Sequence, residues 1–464
     1  METIQPVIDV VQYVIGLGAA VFLPILIFVF GLVVRLKPSK ALRAAVTIGV
    51  AFTGMSLVIS SLFYAQVAPA ATAVVENLGL ELDMVDIGWT PAAAIAFAWP
   101  WAALFILIQI GVNLVLLALG WTKTINIDMW NTWVKAYLGA LTVGMTGSFP
   151  LAVVFAIAMV IYELKMADWT AYMVQDYVGV PGISVTHSTV FGLLVSTPIN
   201  ALLDRIPGLG KLKADPKALR DRFGVLGESM IIGLIIGLAF GLLAGYSFPQ
   251  ILTLGVASAT ALVLLPMIAK LFMEALAPIS EATADFMKKR FPGREIFIGL
   301  DWPILAGNPA TYAVGILAIP LVIALTVVLP GNRTLVFGSI ADWAWMVSIV
   351  GVLAGGNIVR MLVISAVVAI PAYLYTATFV GPAVTKVAQE VAFEMPAGAT
   401  TVTWFGSSPF NLFLLKISQF NLESVAWVLG LVGLTWFTWK YLTKQNELAR
   451  ERVMKQFGKS VVKK

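Results

Sequence analysis

Long apolar runs separated by short polar breaks fill the chain. Residues 10–34, 44–64, 91–119, 134–162, 223–245, 248–272, 311–329 and 361–379 can each span a membrane, and 425–441 is a shorter apolar run. About 20 residues carry a helix across a bilayer. The pattern predicts an all-α polytopic membrane protein of roughly ten or eleven transmembrane helices. Two breaks differ from the others. Residues 179–189 and 398–409 are rich in Gly, Pro, Ser and Thr. The first leads into an apolar run of only about 10 residues, too short to span. Both are expected to be re-entrant hairpins with polar tips, because non-helical backbone at membrane depth is tolerated only inside protein or against a wet cavity.

Charge collects in the breaks. Arg35, Lys37, Lys40 and Arg43 share one loop, six cations fall between Arg205 and Arg222, and Lys288, Lys289, Arg290 and Arg294 close another stretch. The tail carries Lys444, Arg450, Arg452, Lys455, Lys459, Lys463 and Lys464. The positive-inside bias makes the 35–43 loop, the linker and the tail cytoplasmic, which puts the N-terminus outside. Features also recur in order at a nearly constant offset. Gly49-Val50-Ala51 matches Gly255-Val256-Ala257, Ala68-Pro69 matches Ala277-Pro278, and Trp89 matches Trp302. Asp128 matches Asp342, and Val185-Thr186-His187 matches Val402-Thr403-Trp404. The basic loop at 35–43 corresponds to an uncharged segment near 241–249, and the acidic segment 68–83 to the basic 277–296. This flip of sign predicts two repeats of opposite topology, with a substrate site at their interface. The expected organisation is a first repeat over 1–204, a cytoplasmic linker at 205–222, an inverted second repeat over 223–420, and a last helix with a basic tail over 421–464.

Composition then narrows the function. Of 464 residues, 59% are hydrophobic and 12% charged, about half the charge fraction of soluble proteins. The net charge of +5 sits in loops and tail, which fits a membrane setting and not nucleic-acid binding. With no cysteine and one histidine, disulfides, thiolate chemistry and a multi-histidine metal site are excluded. No Walker sequence occurs, and no nucleophile stands beside a base. The first apolar run is too long for a cleavable signal and lacks a basic lead. No catalytic residue, metal or cofactor is assigned.

Binding chemistry remains. Asp86 in Val85-Asp86-Ile87-Gly88-Trp89 and Asp301 in Ile298-Gly299-Leu300-Asp301-Trp302 are carboxylates set in apolar sequence, where charge is costly and marks function. They suit polyol hydroxyls, a cation, or helix capping ahead of Pro91 and Pro303. Trp89 and Trp302 suit stacking on a sugar or anchoring at the interface. His187, donor and acceptor when neutral, stands among Ser184, Thr186, Ser188 and Thr189. Ser407 and Ser408, between Gly406 and Pro409, form the second tip. Asn308, Asn357 and Asn411 suit hydroxyl recognition or bracing of broken helices. The segment with Lys123, Asp128, Trp130 and Asn131 reads as an interface belt, mirrored by Asp342, Trp343 and Trp345. Residues 168–177 read as interfacial, and Arg360 and Lys416 as snorkelling cations. The candidate binding set is Asp86, Trp89, His187, Ser188, Asp301, Asn308, Ser407 and Ser408.

Several stretches together carry a family resemblance. They are Val85-Asp86-Ile87-Gly88-Trp89, Asn126-Ile127-Asp128-Met129-Trp130-Asn131, Phe223-Gly224-Val225-Leu226-Gly227-Glu228, Ile298-Gly299-Leu300-Asp301, Pro330-Gly331-Asn332, Gly356-Asn357 and Gly406-Ser407-Ser408-Pro409. Along nearly its whole length the chain resembles the galactitol-type enzyme IIC of the phosphoenolpyruvate-dependent sugar phosphotransferase system. The family tends to have Pro-His-Gly at the first tip, where this chain has Thr186-His187-Ser188, and Pro after Gly-Leu-Asp, where it has Trp302. Both departures fall at the expected pocket and leave the exact sugar open. The resemblance implies a homodimer in the inner membrane, each protomer having an interface scaffold and a core that moves as an elevator. It implies inward passage of galactitol or a related polyol and its phosphorylation by a separate IIB subunit, itself charged by IIA. The lack of cysteine agrees, because the phosphocysteine must lie on another chain. The ascorbate-type enzyme IIC shares the architecture. The competing reading is a cation-coupled secondary transporter of a small polyhydroxylated solute.

Overall fold

The computed structural model describes residues 19–461, apart from breaks within 59–81 and at 127, 129, 207–220, 222–223, 291–294, 337, 340–341, 394 and 396–398. The start of the first apolar run, Ala68, most of the basic linker, Arg294, Gly398 and the last two lysines lie outside the described residues. The first half contains α1 (Ala19–Val33), α2 (Pro38–Val58), β1 (Met84–Asp86), α3 (Trp89–Ala98), α4 (Ala102–Leu119), β2 (Thr124–Asn126), α5 (Trp133–Thr146), α6 (Phe149–Val178), β3 (Ile183–Val185) and α7 (Leu193–Leu203). The second contains α8 (Ser229–Leu243), α9 (Phe248–Arg290), β4 (Phe297–Leu300), α10 (Pro309–Leu317), α11 (Ile319–Val328), β5 (Thr334–Leu335), α12 (Trp343–Met346), α13 (Ser348–Ala354), α14 (Ile358–Ile364), α15 (Ile370–Glu390), β6 (Thr401–Thr403), α16 (Pro409–Ile417) and α17 (Leu422–Val461).

Among the described residues, four helical stretches are long and apolar enough to cross a membrane: Phe149–Val178, Pro309–Val328, Ile358–Glu390 and Leu422–Phe457. Six shorter apolar helices accompany them. Prolines explain several divisions that the apolar runs hide. Trp99, ahead of Pro100, is extended and ends α3, so residues 91–119 form two helices. A π-helical turn, Ser365–Ala369, joins α14 to α15 just before Pro371. Residues 168–177 complete α6 and are not a separate interfacial segment. The basic tail continues α17. Only 11% of that helix's apolar window is buried, so it faces outward.

Helices α1, α2, α8 and α9 pack as one group. Helices α5, α6, α7, α15, α16 and α17 belong to a second. A 3-10 turn at Trp302–Gly307 touches α9 of the first group and α6 of the second. It therefore sits at the boundary between them.

An all-α reading leaves out six short strands. They form two parallel sheets, ordered β5-β1-β6 and β2-β4-β3. Each sheet takes its central strand from one half of the chain and both flanking strands from the other. Such strands escape detection because two to four residues give no readable alternation, and their partners are distant in sequence. The register places Asp86 opposite Thr403, and Gly299 opposite both Asn126 and Ser184. When β1 and β4 are aligned on Trp89 and Trp302, Asp86 falls at the place of Gly299, and Asp301 at that of Gly88. The two carboxylates are thus two positions out of step. Gly88 has a positive φ of 81°, and a Cβ there would meet the Gly338 oxygen at 2.9 Å. Glycine allows these two backbones to cross in contact.

Candidate functional site

Beyond β3, Thr186 and His187 lead into a 3-10 turn at Ser188–Gly192 and then α7. His187 caps this turn, its Nδ1 accepting from the Thr189 N–H at 3.2 Å. In a neutral imidazole the proton then rests on Nε2. That nitrogen stands 3.9 Å from Asp301 Oδ1. Asp301 caps its own turn through the Trp302 N–H, at 2.6 Å. The capping and binding readings of Asp301 therefore hold together. Both of these contacts fall on Oδ1.

The second tip joins this centre through stacked rings. The His187 ring meets Trp345 edge-on at 5.6 Å, and Trp345 stacks on Trp404 at 6.2 Å. Trp404 in turn packs on Trp133 at 4.8 Å and Tyr137 at 5.3 Å. The Tyr137 hydroxyl lies 2.8 Å from Ser407 Oγ. Ser408 Oγ donates to Asn411 Oδ1 at 3.2 Å. Within this bridge the indole N–H groups of Trp133 and Trp404, the Thr189 hydroxyl and the Asn411 amide nitrogen are buried without a hydrogen-bond partner. Buried indole nitrogens ordinarily find acceptors, and an unmet buried donor costs about 1–3 kcal/mol.

A buried polar network supports the first tip. Thr186 Oγ1 donates to Asn126 Oδ1 at 2.9 Å, and the Asp128 N–H donates to the same oxygen at 2.8 Å. Asn126 Nδ2 reaches Glu163 at 3.3 Å, and Lys135 donates to the other Glu163 oxygen at 2.7 Å. The Asn131 amide donates to both Asp128 oxygens, at 3.0 and 2.9 Å. Lys135 and Glu163 are 1% and 0% exposed. They were missed because they fall at the two ends of the 134–162 run, where long charged side chains normally reach the interface. A lysine one position inside an apolar run was the available signal.

The other expected residues are placed as follows. Asp86 is fully buried and accepts from the N–H groups of Gly88 (3.2 Å), Ser339 (2.6 Å) and Phe405 (2.8 Å), and from Ser339 Oγ (3.0 Å). It ties β1 to the 338–339 turn and to the second tip. Trp89 opens α3, half-buried. Ser188 is buried beside His187. Asn308 caps α10 and lines a separate cavity with Tyr177 and Arg360. The belt reading is corrected: Asp128, Asn131, Trp343 and Trp345 are all buried, Asp128 and Asn131 in the polar network, Trp345 against His187, and Trp343 against Tyr373 and Phe405. Arg360 does not snorkel freely but pairs with Asp204. Lys416 pairs with Glu423 and lies over the Phe379 ring.

The sequence of the family described as the sugar-specific permease component of the PTS system (EIIC-GAT) matches residues 13–398. A protein of Escherichia coli strain K12, named only as a permease IIC component, is 35% identical over 439 residues, covering 94% of this chain and 99% of its own. The galactitol-specific EIIC component of the PTS system of the same strain is 31% identical over 436 residues, covering 93% and 96%. The galactitol-specific EIIC component of Escherichia coli O157:H7 matches equally.

Proposed function

The chain belongs to the EIIC-GAT family of phosphotransferase-system sugar permeases, and on that premise we propose that its His187 centre binds galactitol or a closely related polyol and carries it inward. The observation that carries this reading is the convergence of both tips on one buried polar centre with unmet indole, hydroxyl and amide groups. His187 Nε2–H donates to a polyol hydroxyl and Asp301 accepts from its neighbour. Trp345 and Trp404 flank the carbon chain, and Ser188, Ser407 and Ser408 complete the hydroxyl contacts. Asp86 and Trp89 shape the site from β1 and α3. Asn308 acts at a distance, from the cavity near Arg360. Phosphate then passes from the phosphocysteine of a separate IIB subunit to a polyol hydroxyl: the S–P bond breaks, an O–P bond forms, and the cysteine leaves as a thiolate that takes up the proton the hydroxyl loses.

The architecture that serves this is a pair of inverted repeats moving as an elevator within a homodimer, with the N-terminus outside and the C-terminus cytoplasmic. The exchanged sheets support the repeat, since the order β5-β1-β6 becomes β2-β4-β3 when the halves are interchanged. The division into two helical groups with the Asp301 turn at their boundary supports a moving part. The outward-facing α17 offers apolar surface to lipid or to a second protomer. The basic residues Arg35, Lys37, Lys40 and Arg43, at the turn before α2 and in its first turns, and the basic tail support the orientation. Family membership argues against ion coupling.

Uptake of labelled galactitol by cells with and without the IIB and IIA partners tests the reading. Intracellular galactitol phosphate that appears only with the partners is the expected result. Partner-independent accumulation that follows a sodium or proton gradient would contradict it.

A further inference from the structure

Away from the His187 centre, a cavity of about 540 Å³ lies between the ends of α6, α7 and α13 and the middle of α17. Arg360 of α14 donates through Nη2 to the Asn200 carbonyl at 3.0 Å and to the Asp204 carboxylate. The Tyr441 hydroxyl donates to the other Asp204 oxygen at 2.6 Å and accepts from Asn200 Nδ2 at 2.9 Å. Across the mouth, Arg452 Nε donates to Asp176 at 2.7 Å. Asn200 is 2% exposed, whereas Asp204 and Arg452 are open to solvent, so the cavity runs from a dry floor to a wet rim. Two polar atoms of the residues that line it, Arg360 Nε and Asn200 Oδ1, are buried without a hydrogen-bond partner. One is a donor and the other an acceptor.

We propose that this cavity is a second binding site for a neutral polyol, and that it rejects the phosphorylated product. The ligand class rests on the polyol reading above. A hydroxyl both donates and accepts, so neighbouring hydroxyls answer an unmet guanidinium N–H and an unmet amide oxygen together. The charges decide between free and phosphorylated ligand. Arg360 and Arg452 face Asp204 and Asp176, so the cavity is balanced before any ligand arrives. A phosphate dianion beside Arg360 also stands beside the Asp204 carboxylate, which repels its two negative charges. A neutral polyol leaves both ion pairs intact. Asn200, on the floor, lies about 10 Å along α7 from the helix start that follows the His187 turn. A polyol released from the His187 centre meets this site next, where the basic linker begins.

The absence of cysteine makes the test clean. Ala354→Cys places a thiol on the part of the lining that α13 supplies, and Gln445→Cys one on the part that α17 supplies, each in the full-length chain. Galactitol at ten times its Kd is expected to slow maleimide alkylation at either position about ten-fold, by simple occupancy. Galactitol phosphate and inorganic phosphate at the same concentration are expected to leave the rate unchanged. Asn200→Leu or Arg360→Met, added to either cysteine variant, is expected to abolish protection. Protection is expected to persist with His187→Ala, which removes the main site. Loss of protection with His187→Ala, or galactitol binding to wild type without protection at either thiol, overturns the second site and spares the transport reading. Equal protection by galactitol phosphate overturns the rejection of product. A wild-type protein that binds no hexitol overturns both readings.

Discussion

Removing Lys135 alone should damage this protein far more than removing Lys135 and the Glu163 charge together. The two side chains are 1% and 0% exposed and 2.7 Å apart. At an effective dielectric near 20, that separation corresponds to about 6 kcal/mol of attraction, offset by several kcal/mol of desolvation for each ion. Lys135→Met leaves Glu163 buried with only the Asn126 amide as a partner. The expected loss is about 3–5 kcal/mol, the usual result of stranding a buried charge. Glu163→Gln in the same protein removes the charge and keeps an acceptor for Asn126, so the double variant should lie within about 1–2 kcal/mol of wild type. Thermal unfolding in detergent, followed by the fluorescence of the 14 tryptophans, ranks the variants. The wild type and double variant should unfold close together and Lys135→Met well below them. Additive losses in the double variant, or a Lys135→Met protein as stable as wild type, would refute the buried-pair argument. Galactitol binding on the folded double variant adds a second reading, because the network reaches His187's neighbour Thr186 through Asn126.

Other variants test separate parts of the site. Gly88→Ala should cost about 1–3 kcal/mol from its positive φ, with a clash against Gly338 added, and should lower the unfolding temperature. Gly406→Ala puts a Cβ 2.5 Å from the Trp404 ring, so it should weaken galactitol binding in calorimetry by displacing that ring. Tyr137→Phe removes the hydroxyl beside Ser407 and should cost about 1 kcal/mol of stability, visible as a small drop in the unfolding midpoint. Asp83→Asn breaks an exposed pair with Arg333, and the unfolding midpoint should move little. The Arg333 guanidinium holds the Asp83 carboxyl below its usual range, so this small stabilisation exists above that range and fades as pH falls through it.

Much of this organisation is legible in the sequence, for identifiable reasons. Apolar helices declare themselves by length and hydropathy, although among the described residues only four stretches are long and apolar enough to cross a membrane. His187 and Asp301 stood out because ionisable groups are costly in apolar sequence, and they are adjacent in space. What stayed hidden depends on contacts between distant segments. The strands are too short for an alternation, so the register that separates Asp86 from Asp301 could not be read. Their similar sequence settings suggest one role for Asp86 and Asp301, whereas Asp86 is engaged by three backbone N–H groups and a serine. Asp128, Trp343 and Trp345 resemble membrane-interface residues in composition, yet they are buried because β2 and α12 turn them inward. Lys135 and Glu163 are 28 residues apart and meet only because α5 and α6 pack side by side.

Calorimetric titration of galactitol into the purified wild type, His187→Ala and Asp301→Asn proteins tests the central claim most directly. Saturable binding to wild type, lost in both variants while their unfolding temperatures hold, is the expected result. Wild-type affinity in either variant would contradict the assignment of the His187–Asp301 centre.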